Sequence, residues 1–231
     1  MYNFLLGTTF TKSSAGWIFE GHVHGCLRHG GIFKIRSVET SCDWLYLGIK
    51  TGEKTFGNLK ALSELCRERR GSPKVNEEIL NRYLRPERCN LASINSLCIS
   101  KTTAKNDTAR VFLLQITVGA ENAVKASGLK EVFENLPACA RERTPCIVFV
   151  VPESTSGFKK QAVTPINENH PEAAWEQYVL EISDSQLWSL PEGKRSLSDP
   201  YSTLKMPKRT ATADQVNRPR MEVEPMGSEE I

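Results

Sequence analysis

Between Gly16 and His29 the apolar residues Phe19, Val23, Cys26 and Leu27 fall at i, i+4, i+7 and i+8, the period of a helix that buries one face. Ser13 and Ser14 precede it, and Gly30-Gly31 stops it. The period then changes. Ile32-Phe33-Lys34-Ile35-Arg36 alternates as a strand does, and Trp44-Leu45-Tyr46-Leu47, bounded by Asp43 and Gly48, predicts a second, so a small hairpin or meander is expected. Helical spacing returns over Leu59 to Arg69 and over Glu77 to Leu84, with Gly71-Ser72-Pro73 between them. Ser93 to Ile99 and Val111 to Val118 read as strands joined by the polar turn Lys101 to Asp107, and these should pair as a hairpin. Gly128 to Leu136 predicts a helix ended by Pro137. Cys146 to Val151 (CIVFVV) is the unbroken apolar run of a central strand covered on both faces, and Trp175 to Ile182 reads as a last strand. Helix, strands, hairpin, helix and strand in that order predict an α/β or α+β core with a mixed sheet.

Composition separates this core from the C-terminal stretch. Apolar residues are 39% of the 231, slightly below the globular norm, with 25% charged. The deficit is local: from Ser189 to Ile231 Tyr201 is the single aromatic, and five of the 12 prolines fall there. The expected organisation is an N-terminal extension over 1–12, a folded domain over 13–188 and a disordered tail over 189–231. Charges balance within the tail, so the net +3 belongs to the first 188 residues, a mild excess that excludes a histone-like polycation but allows a basic face. The most basic window runs from Arg67 to Lys105. Seven scattered cysteines with no CxxC pair read as free buried thiols, and no signal-peptide pattern or membrane-length apolar run is present, so an intracellular protein without a membrane span is expected.

Few side chains suggest chemistry. There is no nucleophile elbow, Walker loop, dinucleotide fingerprint or zincin motif. His22, Cys26 and His29 share one helical face and offer soft ligands to zinc, but a fourth ligand is missing, and the plainer reading, with Cys26 packed inward and the histidines at the seam, is preferred. Gln115 and Thr117 stand two apart in an apolar strand, so they share a face, either turned to solvent or buried with partners. Glu20 lies on the first helix and Asn95 in the middle of the preceding strand. Arg82, Arg85 and Arg88 recur every three residues, so at least the first pair can share a helical face and meet phosphates, although Pro86 interrupts that helix and a solvated face is the commoner outcome.

The segments SAGWIFEGHVHGCLRHGGIFKI, NLASINSLCI, VFLLQITV, KASGLKEVFENLP, IVFVVPES and WEQYVLEI, taken in order, resemble the C-terminal nuclease-like domains of fungal Crinkler and RHS-type proteins, of the restriction-endonuclease-like PD-(D/E)xK superfamily. The resemblance covers about residues 13 to 188. It implies a restriction-endonuclease-like core, a mixed sheet flanked by helices, and a site built from a helix glutamate, a strand aspartate and a QxT or ExK element on the next strand. Glu20 matches the helix glutamate, Asn95 stands in the aspartate's place, and Gln115 and Thr117 match QxT. Asn122 replaces a histidine common in the following segment, with Lys125 three residues on.

The asparagine matters because Mg²⁺ is a hard ion that needs anionic oxygen. At an effective dielectric near 20 a unit charge about 4 Å away contributes up to roughly 4 kcal/mol, and Asn95 lacks it. The expectation is therefore an inactive or weakly active nuclease-like domain that binds DNA, RNA or a protein partner. The alternative is a Mg²⁺-dependent endonuclease in which Glu20 and Gln115 hold the metal with Asn95, and Thr117 or Lys125 positions water or phosphate. A third expectation is a decayed fragment, since the resemblance implies an upstream P-loop ATPase or another module. In the tail, Lys208-Arg209 and Arg218-Pro219-Arg220 loosely resemble a bipartite nuclear-import signal beside the plainer reading of a soluble tail, and the resemblance itself implies a nuclear location.

Overall fold

The computed structural model describes residues 12–40, 43–67, 74–87, 91–101, 109–155, 157–164 and 175–188. The expected tail with its basic clusters lies outside the described residues, as do Cys42, Arg88 and Cys89.

Helix α1, Lys12–His29, opens the fold. Its Ala15, Phe19, Val23 and Leu27 recur every four residues and are all buried, while Arg28 and His29 in the last turn favour the negative end of the helix dipole. Gly30, at φ +76°, closes it with an N–H bond to Leu27 O at 3.1 Å. A Cβ there would stand 2.6 Å from Ile49 O, so only glycine lets the helix turn straight into the sheet. Strand β1, Gly31–Ser37, pairs antiparallel with the first half of β2, Trp44–Phe56, from Gly31↔Ile49 to Arg36↔Trp44. The register shifts between Lys50 and Glu53, and the second half of β2 pairs parallel with β3, Arg82–Pro86. Helix α2, Leu59–Cys66, lies between them in sequence, capped by the Asn58 side chain on Ala61 N at 2.8 Å.

Strands β4, Ser96–Lys101, and β5, Ala109–Ile116, form the expected antiparallel hairpin. After the two-residue β6, Val124–Lys125, and the helices α3, Ala126–Glu134, and α4, Ala138–Arg141, strand β7, Cys146–Pro152, returns parallel to β5. All seven of its residues are buried, as a continuous apolar run requires. Residues Val163–Thr164 form β8, which pairs with β6; β9, Glu176–Ile182, pairs parallel with β7, and α5, Asp184–Trp188, comes after it. Two register pairs, Arg36↔Val179 and Ser37↔Tyr178, join β9 to β1 and close a seven-stranded barrel in the order β1-β2-β3-β4-β5-β7-β9.

The fold is thus α+β with a mixed sheet. Alternation along each strand divides the core in two. Phe112, Leu114 and Ile116 of β5 join Ile35, Leu47, Val148 and Leu180 around Phe19, Val23 and Leu27 of α1. Val111 and Leu113 instead join Leu84, Leu97, Ile147, Phe149 and Val179 beside Leu62 of α2 and Leu129 and Val132 of α3. No described helix is long and apolar enough to cross a membrane.

Two expected elements differ. Glu77 to Leu84 is not a helix: 77–79 form a turn, Asn81 takes φ 61°, and β3 begins at Arg82. Asn81 donates its N–H to Ile99 O at 2.7 Å and accepts from Lys50 N, which splices the chain between β2 and β4 and buries both Tyr83 and Leu84. The strand expected from Ser93 starts three residues later, because Ser93 sits at φ 68° and turns the chain just before Asn95. That turn is braced by α3, where a Cβ on Gly128 would meet Ala92 O at 2.2 Å. Gly128→Ala is expected to destabilise the fold by about 1–3 kcal/mol, read as a lower urea midpoint, because the loop carrying Asn95 must move outward. An unchanged midpoint would show that the loop is not clamped.

Candidate functional site

Glu20 and His24 lie one residue beyond Phe19 and Val23, so they stand at the edge of the buried face of α1, one turn apart on the same side. Their side chains retain 29% and 15% exposure. Asn95, at the mouth of β4, meets them: its Nδ2 donates to Glu20 Oε1 at 2.8 Å. Its Oδ1 accepts the backbone N–H of Ile116 at 2.7 Å. Because a backbone N–H can only donate, this second bond fixes which end of the amide faces the carboxylate. His24 Nε2 also approaches Glu20 Oε1, at 3.4 Å, while its Nδ1 lies 2.5 Å from the hydroxyl of Tyr83. With Nε2–H turned to the carboxylate and Nδ1 facing the Tyr83 hydroxyl, a single chain runs from Tyr83 through His24 to Glu20. The His24 bond, and after it the Asn95 bond, hold the Glu20 carboxyl below its ordinary value of 4.5 against the opposing effect of burial. Tyr83 is fully buried, which raises its hydroxyl well above the ordinary tyrosine value.

These groups open on a cleft of about 250 Å³ lined by Glu20, His24, Arg85, Asn95, Gln115 and Asn122 among others. Glu20, Asn95 and Gln115, expected from sequence to share a site, therefore border one cavity. Gln115 is 6% exposed, and its Oε1 has no hydrogen-bond partner among the described residues. Its parity along β5 is that of Val111 and Leu113, on the α2 and α3 side of the sheet, so it reaches the cleft at the strand end and not from the α1 side. Asn122 is held through its backbone N–H by Gln161 Oε1, and Gln161 is locked in turn to Gln177 by paired amide bonds of 2.8 and 2.9 Å.

Of the other expected residues, Thr117, Lys125 and Arg82 do not line the cleft. Thr117 lies just past the end of β5 and uses its hydroxyl to accept Gly119 N–H at 3.1 Å. Lys125 is exposed and does not line the cleft; its backbone N–H bonds Ser93 Oγ. Arg82 and Arg85 lie on strand β3, where a spacing of three turns them to opposite faces, contrary to the expected helical pair. Arg82 donates to Thr51 O, and Arg85 Nε stands 3.3 Å from Glu53, so both bind the far half of β2. Arg85 also borders the cleft. Of the zinc-like trio, Cys26 donates to Gln186 O and His29 to Gly25 O, and among the described residues no group of three His, Cys, Asp or Glu is placed to hold a metal.

A magnesium site of the kind the family resemblance implies does not fit this donor set. Among the described residues the cleft offers one carboxylate, Glu20, whose Oε1 already accepts two N–H groups. Asn95 presents a donor where a cation needs an oxygen. Gln115 Oε1 has an oxygen to offer but carries no charge. His24 and Tyr83 were not anticipated from sequence. The i, i+4 spacing of Glu20 and His24 was the one available signal, whereas Tyr83 fell in a segment expected to be helical.

Comparison with protein families, curated proteins and solved structures finds no match for the chain.

The low Glu20 value has a consequence for stability. A carboxylate whose folded value is depressed stabilises the protein above its unfolded value and loses that contribution as pH falls through the folded one. The advantage of wild type over Glu20→Gln in urea unfolding is therefore expected to be full above pH 4.5 and to shrink below it. A difference that does not change with pH would remove Glu20 from the bonded chain.

Proposed function

We propose that this chain is a nuclease-like domain of the Crinkler and RHS type, on a restriction-endonuclease-like core, that binds nucleic acid without cutting it. The order α1, hairpin β4–β5, α3 and parallel β7 supports the core assignment. Glu20 and Asn95 meeting at 2.8 Å supports the assignment of the site, since both were placed by the resemblance 75 residues apart.

The observation that carries the reading is the orientation of Asn95. Pinned by Ile116 N–H, its amide turns its nitrogen to Glu20 and donates one N–H to it, so a hydrogen bond joins helix to sheet where a metal-dependent hydrolase would use a cation between two carboxylates. Such a charge-assisted bond contributes about 1.5–3 kcal/mol. The site is therefore stable without a metal and gives phosphodiester hydrolysis neither an anionic cage nor a metal-bound water. Nucleic acid is favoured as the ligand by the net charge of +3 and by Arg85 at the rim of the cleft. The alternative of a Mg²⁺-dependent nuclease draws support from one feature, the Gln115 Oε1, unpartnered among the described residues, on the cleft that Glu20 also borders.

Asn95→Asp separates the two readings. It brings two carboxylates together, so the variant is expected to unfold at lower temperature than wild type without metal, to be rescued by Mg²⁺ or Mn²⁺, and to gain cleavage of single- or double-stranded DNA. Wild type should show neither the metal-dependent rise in Tm nor cleavage. Cleavage by wild type in Mg²⁺ that Glu20→Ala abolishes would overturn the proposal.

A further inference from the structure

The β1–β2 hairpin has a second face, turned away from α1. Inward-pointing Ile35, Leu47 and Ile49 pack around that helix. The alternate positions Ile32, Lys34, Arg36, Trp44, Tyr46 and Lys50 point the other way. Elsewhere that side of the sheet is roofed by α2 and α3, but the apolar layer there includes nothing of β1 and only Phe56 of β2. Among the described residues the hairpin face is open. Ile32 is 80% exposed, Tyr46 67% and Trp44 43%, three of the five large hydrophobic side chains that stand exposed among those residues.

The chemistry of this face is particular. Lys34 Nζ sits over the Trp44 ring, 3.7 Å from its centre, a cation–π contact that orients the indole and covers one of its faces with a positive charge. Lys50 is exposed at the other end, while Arg36 is tied to Glu181 at 3.0 Å. Neither Gly31–Ser37 nor the stretch from Trp44 to Lys50 contains an aspartate or glutamate. Trp44 and Tyr46, successive outward residues of one strand, stand about 7 Å apart, within the reach of neighbouring bases in an extended strand.

We infer that this face is a stacking platform for single-stranded nucleic acid: Trp44 and Tyr46 each take an unpaired base, the base at Trp44 displacing Lys34 from the ring, and Lys34 and Lys50 then meet the flanking phosphates. Bases in a duplex are stacked on one another and cannot reach the rings, so the platform selects single strands. A docked protein is less well matched, because the core of a protein interface is depleted of lysine and Ile32 is the one aliphatic side chain on this face. The platform lies across the sheet from α1, and none of its residues lines the cleft. Stacking there is independent of what the cleft binds and of whether it cuts.

The test is fluorescence anisotropy of full-length protein with labelled oligothymidylate, oligouridylate and the matching duplex at about 50 mM salt. Wild type should bind both single strands at least tenfold more tightly than the duplex. Trp44→Ala and Tyr46→Ala should each weaken binding on the order of tenfold, and Tyr46→Phe, which keeps the ring, should bind as wild type does. Lys34→Gln should lower the salt slope by about 0.7. These positions are outside the core, so unchanged circular dichroism and Tm certify that the variants are folded. Equal binding to duplex and single strand, or alanine variants that bind like wild type, would overturn the platform. So would sedimentation showing a dimer that Trp44→Ala dissolves, since the face would then be a protein interface. Cleavage and metal rescue report on the cleft and oligonucleotide stacking on this face, so either proposal can fail alone.

Discussion

The site depends on one constraint: the backbone N–H of Ile116 must donate, and Asn95 Oδ1 is what receives it. That bond turns the amide nitrogen to Glu20 and fixes the charge state that suits the pair. An ionised carboxylate facing N–H donors is satisfied as it stands, and a second donor arrives from His24, itself held by the buried hydroxyl of Tyr83. The arrangement is cooperative, since each partner orients the next. It also ties α1 to β3, the mouth of β4 and the end of β5, strands already paired to one another in the sheet.

The scaffold keeps that constraint in place. The turn before Asn95 is pressed between Ser93 in its left-handed conformation and the glycine face of α3 at Gly128. On the far wall the Gln161–Gln177 amide pair is almost wholly buried, and Gln161 holds the backbone at Asn122. Buried amides of this kind are stable only when every group is paired, which makes them good fixtures for a loop. Among the described residues Gln115 borders the cleft with a buried oxygen that has no hydrogen-bond partner, and a cavity bordered by such an atom is suited to a ligand that donates a hydrogen bond.

Much of this was legible in the sequence where local periodicity and burial agree. The spacing of Phe19, Val23 and Leu27 placed α1, the run CIVFVV placed β7, and the β4–β5 hairpin came from two apolar stretches around a polar turn. The features that stayed hidden depend on distant partners. Residues 77–84 have helical composition, yet Tyr83 and Leu84 are strand residues because β2 and β4 offer hydrogen bonds on both sides. Closure of β9 on β1 rests on two register pairs between residues some 140 positions apart, which leave no local pattern. The nearness of Glu20 and Asn95 came through a family resemblance and not from periodicity, and the direction of the amide could only come from three dimensions. The shared helical face expected of Arg82 and Arg85 is absent for the same reason as the helix that was to carry it.

The central claim is that the Asn95 amide occupies the place a divalent ion would need. The side-chain Nδ2 proton resonances of Asn95 in ¹⁵N-labelled protein test it most directly. They should be shifted downfield by the Glu20 carboxylate, slow to exchange, and unmoved as Mg²⁺ is added. Signals that move or exchange rapidly as the cation is titrated would mean that the amide has turned its oxygen to a metal, and would contradict a site closed by the Asn95–Glu20 hydrogen bond.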